Sequence, residues 1–228
     1  MLDLPKTVFS DYSPISGEIK VIDVGDERRL SVGGYVQSVY PLDGNWESFS
    51  RRVWGYLRDA SLKNHCPKKI LLLGLGGGTF LHLLANALPE AKIICVEIDE
   101  QIVEVAKKYF DLAKAKNVKL VIADAAQVVA KPAKYLGEEK FDTVIVDIYL
   151  GGQLPPFSAT ADFYSSVRKL LAPGGKAIFN RIFTIRDEAS QRAFLAKLAR
   201  HFSNLEMTAV PNIPSAIEGN FIFSGYYA

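Results

Sequence analysis

From Lys68 onward, short apolar runs alternate with segments of helical spacing, and this rhythm limits the possible folds more than any other feature of the chain. The runs "KKILLLG", "KIICVEI", "VKLVIAD", "FDTVIVDIY" and "KAIFNRIF" are nearly continuous in hydrophobicity, as expected of strands covered on both faces. Between and after them lie "TFLHLLANAL", "EQIVEVAKKYF", "AAQVVAKP", "ATADFYSSVRKLLAPGG" and "DEASQRAFLAKLARHF", which read as helices. The third is ended by Pro132, and the fourth stops at a Pro-Gly-Gly turn. Such alternation predicts an α/β fold with a mostly parallel sheet and helices on both faces. The tail differs. "LEMTAVPN" and "NFIFSGYY", joined by "IPSAIEG", have no helix between them and predict an antiparallel hairpin at one sheet edge.

Ahead of this region, "EIKVIDV", "RRLSV" and "YVQSVY" alternate like strands, with Gly33-Gly34 as a tight hairpin turn. "PLDGN" then breaks the chain, and Trp46 to Leu62 has helical spacing, with Phe49, Val53, Trp54 and Leu57 on one side. The expected organisation is a small β-hairpin element over residues 1–45 and a nucleotide-binding α/β domain over 46–228. At 228 residues and 49% hydrophobic content, the chain can bury one sizeable core.

Charge excludes some partners. With 27 basic and 25 acidic residues the net charge is +2, so no strong field draws nucleic acid or anionic lipid. The expectation is no nucleic acid and no membrane. No stretch reaches bilayer length, and the start "MLDLPKTVFSDYSP" lacks a basic segment followed by an apolar one, so no signal peptide is expected. Two isolated thiols, Cys66 and Cys95, suit a reducing, cytoplasmic setting, and Cys95 reads as a buried strand residue. His65-Cys66 has no further ligand at zinc spacing, so no metal is expected. The three histidines do not converge: His82 falls on the polar side of its helix, and His65 and His201 read as surface residues.

The stretch "LLLGLGGGTFLHLL", residues 71–84, carries the chemistry. Glycines at a first strand-to-helix turn let backbone approach a ligand, and the helix start favours a negative group. The spacing is Gly74-x-Gly76-x-Gly78. A nicotinamide or flavin fingerprint needs a small residue at position 79, where this chain has Thr79. Glu97 ends the second strand, 23 residues after Gly74, where an acid can accept from both ribose hydroxyls. Asp99 beside it reads as a helix cap. Asp124, with Ala125 after it, ends the third strand and is placed for an adenine end; a dehydrogenase has no need of this acid. Asp147 ends the fourth strand and faces the expected reaction centre, with Tyr149 and the helix-free "GGQLPPF" able to roof an acceptor. The set suits S-adenosylmethionine (SAM) or its decarboxylated form better than a dinucleotide.

On "GEIKVIDVGDERRLSVGGYVQSVY", "LLLGLGGGT", "CVEIDEQIVEVAKKYF", "VIADAAQ", "FDTVIVD" and "FYSSVRKLLAPGG", in that order, the chain resembles the spermidine synthase (polyamine aminopropyltransferase) family, in a divergent bacterial branch. The resemblance implies the Rossmann-like fold of class I SAM-dependent methyltransferases, a homodimer, and transfer of an aminopropyl group from decarboxylated SAM to a small amine. It places Gln37 near the donor. Three positions depart from the family pattern: Gly77 stands where the turn usually has aspartate, Leu150 where the fourth-strand loop has a second, catalytic acid, and "NWESFSRRVW" lacks the family's tyrosine-histidine-glutamate cluster. Gly77 tilts the donor toward carboxylate-bearing SAM. The readings that remain open are an aminopropyl- or methyltransferase with Asp147 as catalytic residue, and an inactive nucleotide-binding homologue.

Overall fold

The computed structural model describes residues 4–211 and 216–227. Four strands come first: β1 (Lys6–Ser13), β2 (Gly17–Val24), β3 (Glu27–Val32) and β4 (Tyr35–Pro41), an antiparallel sheet in that order. Gly33 and Gly34 adopt φ of +57° and +85°, the mirror-turn geometry that a two-residue hairpin demands. β1 is an addition to the three strands legible in the sequence; its pattern is mostly exposed and does not alternate. A single apolar face, Ile19, Val21, Leu30 and Val32, packs on Ile102, Val105 and Phe110 of the following region.

Trp46 to Leu62 does not form one helix. A short 3-10 turn spans Trp46–Phe49, and helix α1 covers Val53–Leu62. The kink brings Ser50 against α1 so closely that a Cβ on Gly55 would lie 2.1 Å from the Ser50 carbonyl oxygen. The alternating region then gives β5 (Lys69–Leu73), α2 (Thr79–Ala87), β6 (Lys92–Glu97), α3 (Glu100–Tyr109), β7 (Val118–Ile122), α4 (Ala125–Ala130), α5 (Pro132–Leu136), β8 (Phe141–Val146), α6 (Ala161–Leu170), β9 (Leu171–Thr184), α7 (Glu188–Leu198), β10 (Ser203–Ala209) and β11 (Glu218–Tyr226). Pro132 both ends α4 and opens α5, where its fixed φ costs nothing. The Pro-Gly-Gly stretch lies within β9: Leu171 pairs with Phe141, Lys176 pairs with Thr143, and the residues between form an irregularity with Gly174 at φ +76°. Of the loop expected between the last two strands, residues 213–215 lie outside the described residues.

The main sheet has the order β10-β11-β9-β8-β5-β6-β7. β5 to β9 run parallel, and β11 is antiparallel both to β9 and to β10, which gives the expected edge hairpin. Alternate side chains of β5 go to opposite faces. Leu71 and Leu73 join a core with Val128, Phe163, Val167 and Phe194 from α4, α6 and α7. Ile70 and Leu72 join one with Leu57, Leu81, Leu84 and Val103 from α1, α2 and α3. Helices thus cover both faces.

The chain reverses its direction of winding beside β5: β6 lies on one side of it and β8 on the other. That is the switch point where a crevice opens at the carboxyl ends of the strands. Gly74, at φ +100°, leaves β5 there with its N–H donated to the Val96 carbonyl at 2.9 Å. A Cβ at this position would sit 2.0 Å from the Asp147 carbonyl oxygen. Gly74→Ala should therefore cost about 3 kcal/mol or more in urea unfolding, since the clash is with backbone and cannot relax cheaply. Gly25→Ala, at φ +55° with open space around it, should lose only the left-handed penalty of about 1 kcal/mol.

Candidate functional site

A cavity of about 240 Å³ opens at this switch point. Gln37, Gly74, Gly76, Glu97, Asp124, Ala125 and Asp147 all line it, so residues spread over 111 positions of the sequence (37 to 147) share one wall. Gly78 does not. It caps the start of α2 with φ +88°, and a Cβ there would lie 3.3 Å from Leu112. Gly77 is also off the cavity: a Cβ on it would meet the Ser38 Cβ at 2.8 Å and Phe110 at 3.2 Å. It is packed against the small sheet, and its side-chain-free state answers to that contact.

The turn is clamped from behind. The Ser38 hydroxyl accepts from the Gly77 N–H at 2.7 Å, and the Thr79 hydroxyl both accepts from the Val39 N–H at 2.8 Å and donates to the Val39 carbonyl at 2.6 Å. Ser38 and Thr79 are each 1% exposed, so these bonds form away from water. Thr79, the residue that spoils a dinucleotide fingerprint, docks β4 on the glycine turn. That docking carries Gln37 into the cavity, where its buried Nε2 has no partner within the protein. A buried donor without an acceptor is costly, and an acceptor atom on a bound molecule would satisfy it.

Glu97 sits at the end of β6 with three backbone donors: Leu75 N–H to Oε2 at 3.1 Å, and Ile98 and Asp99 N–H to Oε1 at 2.8 and 3.0 Å. Burial pushes its carboxyl above the ordinary range, and those three bonds only partly offset it. A carboxylate offers about four acceptor sites, so room for a ligand hydroxyl remains. Asp124 accepts from the Ala126 N–H at 2.8 Å through Oδ1, caps α4 and lines the cavity. Asp99 caps α3 through the Gln101 N–H and takes a bond from the Ser16 hydroxyl, the structural role its position suggested.

Asp147 ends β8. Its Oδ1 accepts from Asn180 Nδ2 at 2.8 Å, and Asn180 Oδ1 accepts from Asn220 Nδ2 at 2.9 Å. This chain of amides, from β11 through β9 to β8, fixes the carboxyl in place. Burial raises the Asp147 carboxyl, and the Asn180 bond lowers it. The two asparagines escaped the sequence reading; a signal existed, since each polar amide interrupts an apolar strand at its cavity end.

Beyond Asp147 the loop folds over the cavity. Leu150 and Gln153 form a two-residue bridge around Gly151-Gly152, and a Cβ on Gly152 would meet the Tyr35 ring at 2.7 Å. Arg181, 2% exposed, holds the far end of the loop by donating from Nη1 to the Ser158 hydroxyl at 3.3 Å and from Nη2 to the Ser158 carbonyl. Its guanidinium lies over the Phe194 ring at 4.9 Å. The sequence signal for Arg181 was a charge inside an apolar strand. Tyr149 donates to the Asn180 carbonyl at 3.2 Å, and burial raises its hydroxyl far above the usual range.

The histidines lie elsewhere. His82 is 5% exposed, not on a polar face: its Nε2 is 2.7 Å from the Phe110 carbonyl and its ring packs on Trp46. The helical periodicity placed it outward, but the small sheet and the Trp46 turn cover that side. His65 is partly covered, with Nε2 3.0 Å from the Thr143 hydroxyl. Cys95 is buried and Cys66 exposed. Among the described residues no helix is long and apolar enough to cross a membrane.

Sheet order, the bare turn at β5 and acids at the ends of β6, β7 and β8 define an α/β chain of the class I methyltransferase fold. Solved structures agree. The probable spermidine synthase of Corynebacterium glutamicum superposes with a TM-score of 0.74 at 22% identity, over 98% of this chain and 80% of that one. Human methyltransferase-like protein 13, solved in complex with SAH, superposes at 0.58 with 26% identity, over 80% and 82% of the two chains. The polyamine aminopropyltransferase of Chromobacterium violaceum is 30% identical over 208 residues, 89% of this chain and 74% of the relative. The spermine/spermidine synthase domain matches residues 57–226, and the chain belongs to that family.

Thr79→Val should cost about 2–3 kcal/mol in urea unfolding, because it strips partners from a buried N–H and a buried carbonyl. Donor affinity measured by calorimetry should fall with it, as Gln37 loses its anchor.

Proposed function

We propose that this chain is a transferase that binds S-adenosylmethionine or decarboxylated S-adenosylmethionine and moves an alkyl group, aminopropyl or methyl, to a small-molecule acceptor. The observation that carries the reading is the convergence of Glu97, Asp124 and Asp147 on one cavity beside a turn without side chains. Glu97 accepts from the ribose hydroxyls, Asp124 with Ala125 meets the adenine, and Gly74 and Gly76 admit the sulfur-bearing arm to the backbone. Gln37 turns its unpartnered amide to the donor. Asp147 faces the carbon that is transferred. Displacement at a carbon beside a cationic sulfur gains most from alignment, which a rigid wall of strand ends supplies.

Cavity charge favours the decarboxylated donor. Among the described residues no lysine, arginine or histidine lines the cavity, while three carboxylates do. Decarboxylated SAM carries one more net positive charge than SAM, and among the described residues no cationic side chain is placed to pair with the free carboxylate of SAM. Gly77, which tilted the sequence reading toward SAM, faces the small sheet and has no part in that choice. The methyltransferase reading keeps support of its own, including the likeness to a human chain solved with SAH. The family resemblance also implies a homodimer, which light scattering on the purified chain reads directly, and the two isolated thiols suit a cytoplasmic enzyme.

Titration calorimetry with decarboxylated SAM, SAM and methylthioadenosine tests the proposal. All three should bind, the decarboxylated donor most tightly, and Glu97→Ala should weaken each by at least about tenfold, the worth of one charged hydrogen bond. Absence of binding by all three, with Glu97→Ala indistinguishable from the parent, would falsify it. Asp147 acts as a carboxylate, so the acid limb of kcat/KM follows its raised pKa. Asn180 lowers that pKa, so Asn180→Ala should move the limb to higher pH, as loss of a hydrogen bond to the charged form implies. A limb that stays put or moves down would remove Asp147 from proton transfer.

A further inference from the structure

We infer that the acceptor is an amine bearing a single positive charge on an apolar or aromatic body, rather than a diamine; this rests on the transferase reading above. The sheet order separates the two ends of the cavity. Glu97 and Asp124 stand at β6 and β7, on one side of the Gly74 turn, and Asp147 stands at β8 on the other. Past Asp147, toward β9 and the hairpin of the small sheet, the wall is Tyr35, Val36, Leu150, Pro155, Phe157 and Ile182. The amides of that half are engaged with each other and none carries a charge: Asn180 and the Asn220 Nδ2 serve the relay to Asp147, and the Tyr149 hydroxyl donates to the Asn180 carbonyl.

One carboxylate can hold one ammonium. A second ammonium on the same acceptor would lie against this apolar wall, partly desolvated and, among the described residues, with no second carboxylate to pair with it, a loss of about a factor of ten. An apolar body instead gains from every CH2 or ring face it covers. Leu150 is 37% exposed, Ile182 40%, Val36 52% and Tyr35 59%, a cluster of large apolar side chains left uncovered at one mouth. Such a cluster is costly in water and gains by covering an apolar ligand.

The step balances without a further reactant. The acceptor ammonium gives one proton to the Asp147 carboxylate, which passes it to solvent. The nitrogen lone pair then forms the new C–N bond as the C–S bond breaks. Its electron pair returns to sulfur and leaves a neutral thioether. The product leaves as the alkylated ammonium, which keeps its two remaining protons.

The test supplies the purified chain with both donors and compares phenethylamine and hexylamine against putrescine and cadaverine, following release of methylthioadenosine or S-adenosylhomocysteine by chromatography. The monoamines should exceed the diamines in kcat/KM by at least about tenfold. Leu150→Asp adds a second carboxylate to this half and should shift the ratio toward the diamines by a similar factor; Ile182→Asp serves the same purpose where Leu150→Asp does not fold. A diamine preferred by the parent chain, or a ratio that neither variant moves, overturns the inference. So does a chain that binds donor by calorimetry and turns over no amine, an outcome that leaves the donor reading standing. Loss of donor binding itself would instead strike the transferase reading on which this one is built.

Discussion

Everything at the carboxyl end of the main sheet depends on one close approach, the passage of the Gly74 backbone beneath the Asp147 carbonyl. Neighbouring parallel strands β5 and β8 end here, still joined by the bond from the Asp147 N–H to the Leu73 carbonyl, and the chain goes on from them to opposite sides of the sheet. A Cβ on residue 74 would fall 2.0 Å from that carbonyl oxygen. The absence of a side chain keeps both strand ends in register, and register is what puts Asp147 and Glu97 on one wall. The apolar side chains of β5, shared between two cores, make the sheet rigid enough to hold that geometry.

The small antiparallel sheet completes the site. It carries no strongly polar face toward the cavity, yet it supplies Gln37, the Ser38 and Val39 contacts that fix the glycine turn, and the Tyr35 ring that braces the Gly151-Gly152 turn. The same sheet explains the glycine at 77, because Ser38 and Phe110 occupy the space a side chain would need. Residue 77 is thus set by packing against Ser38 and Phe110, and the electrostatics of the cavity rest on Glu97, Asp124 and Asp147. Among the described residues no cationic side chain lies in the wall, so the field there favours positive charge near the strand ends.

Much of this architecture was legible beforehand, and for a definite reason. Buried parallel strands must be apolar throughout, helices between them must show one apolar stripe, and a mirror turn must contain residues that accept positive φ. "KKILLLG", "EQIVEVAKKYF" and Gly33-Gly34 each carry one of these local signatures, and each took the expected form. Local signatures failed where a distant partner decided the outcome. β1 has no alternating face, so its pairing with β2 left no trace in the pattern. His82 looked exposed on its helix until Trp46 and the Phe110 carbonyl closed over it. Trp46 to Leu62 kept helical spacing across a kink that the packing of Ser50 on Gly55 imposes.

The order of residues along the chain was enough to establish the alternation of strands and helices, the turn geometry and the acids that end three successive strands, since each follows from hydrophobic periodicity or from the conformational freedom of glycine over a few residues. It could not establish that Gly77 and Gly78 turn away from the cavity, that two asparagines on β9 and β11 pass a hydrogen bond to Asp147, or that Arg181 ties down the loop through Ser158. Those arrangements join residues far apart in the chain, and their energy exists only once water has left the space between them.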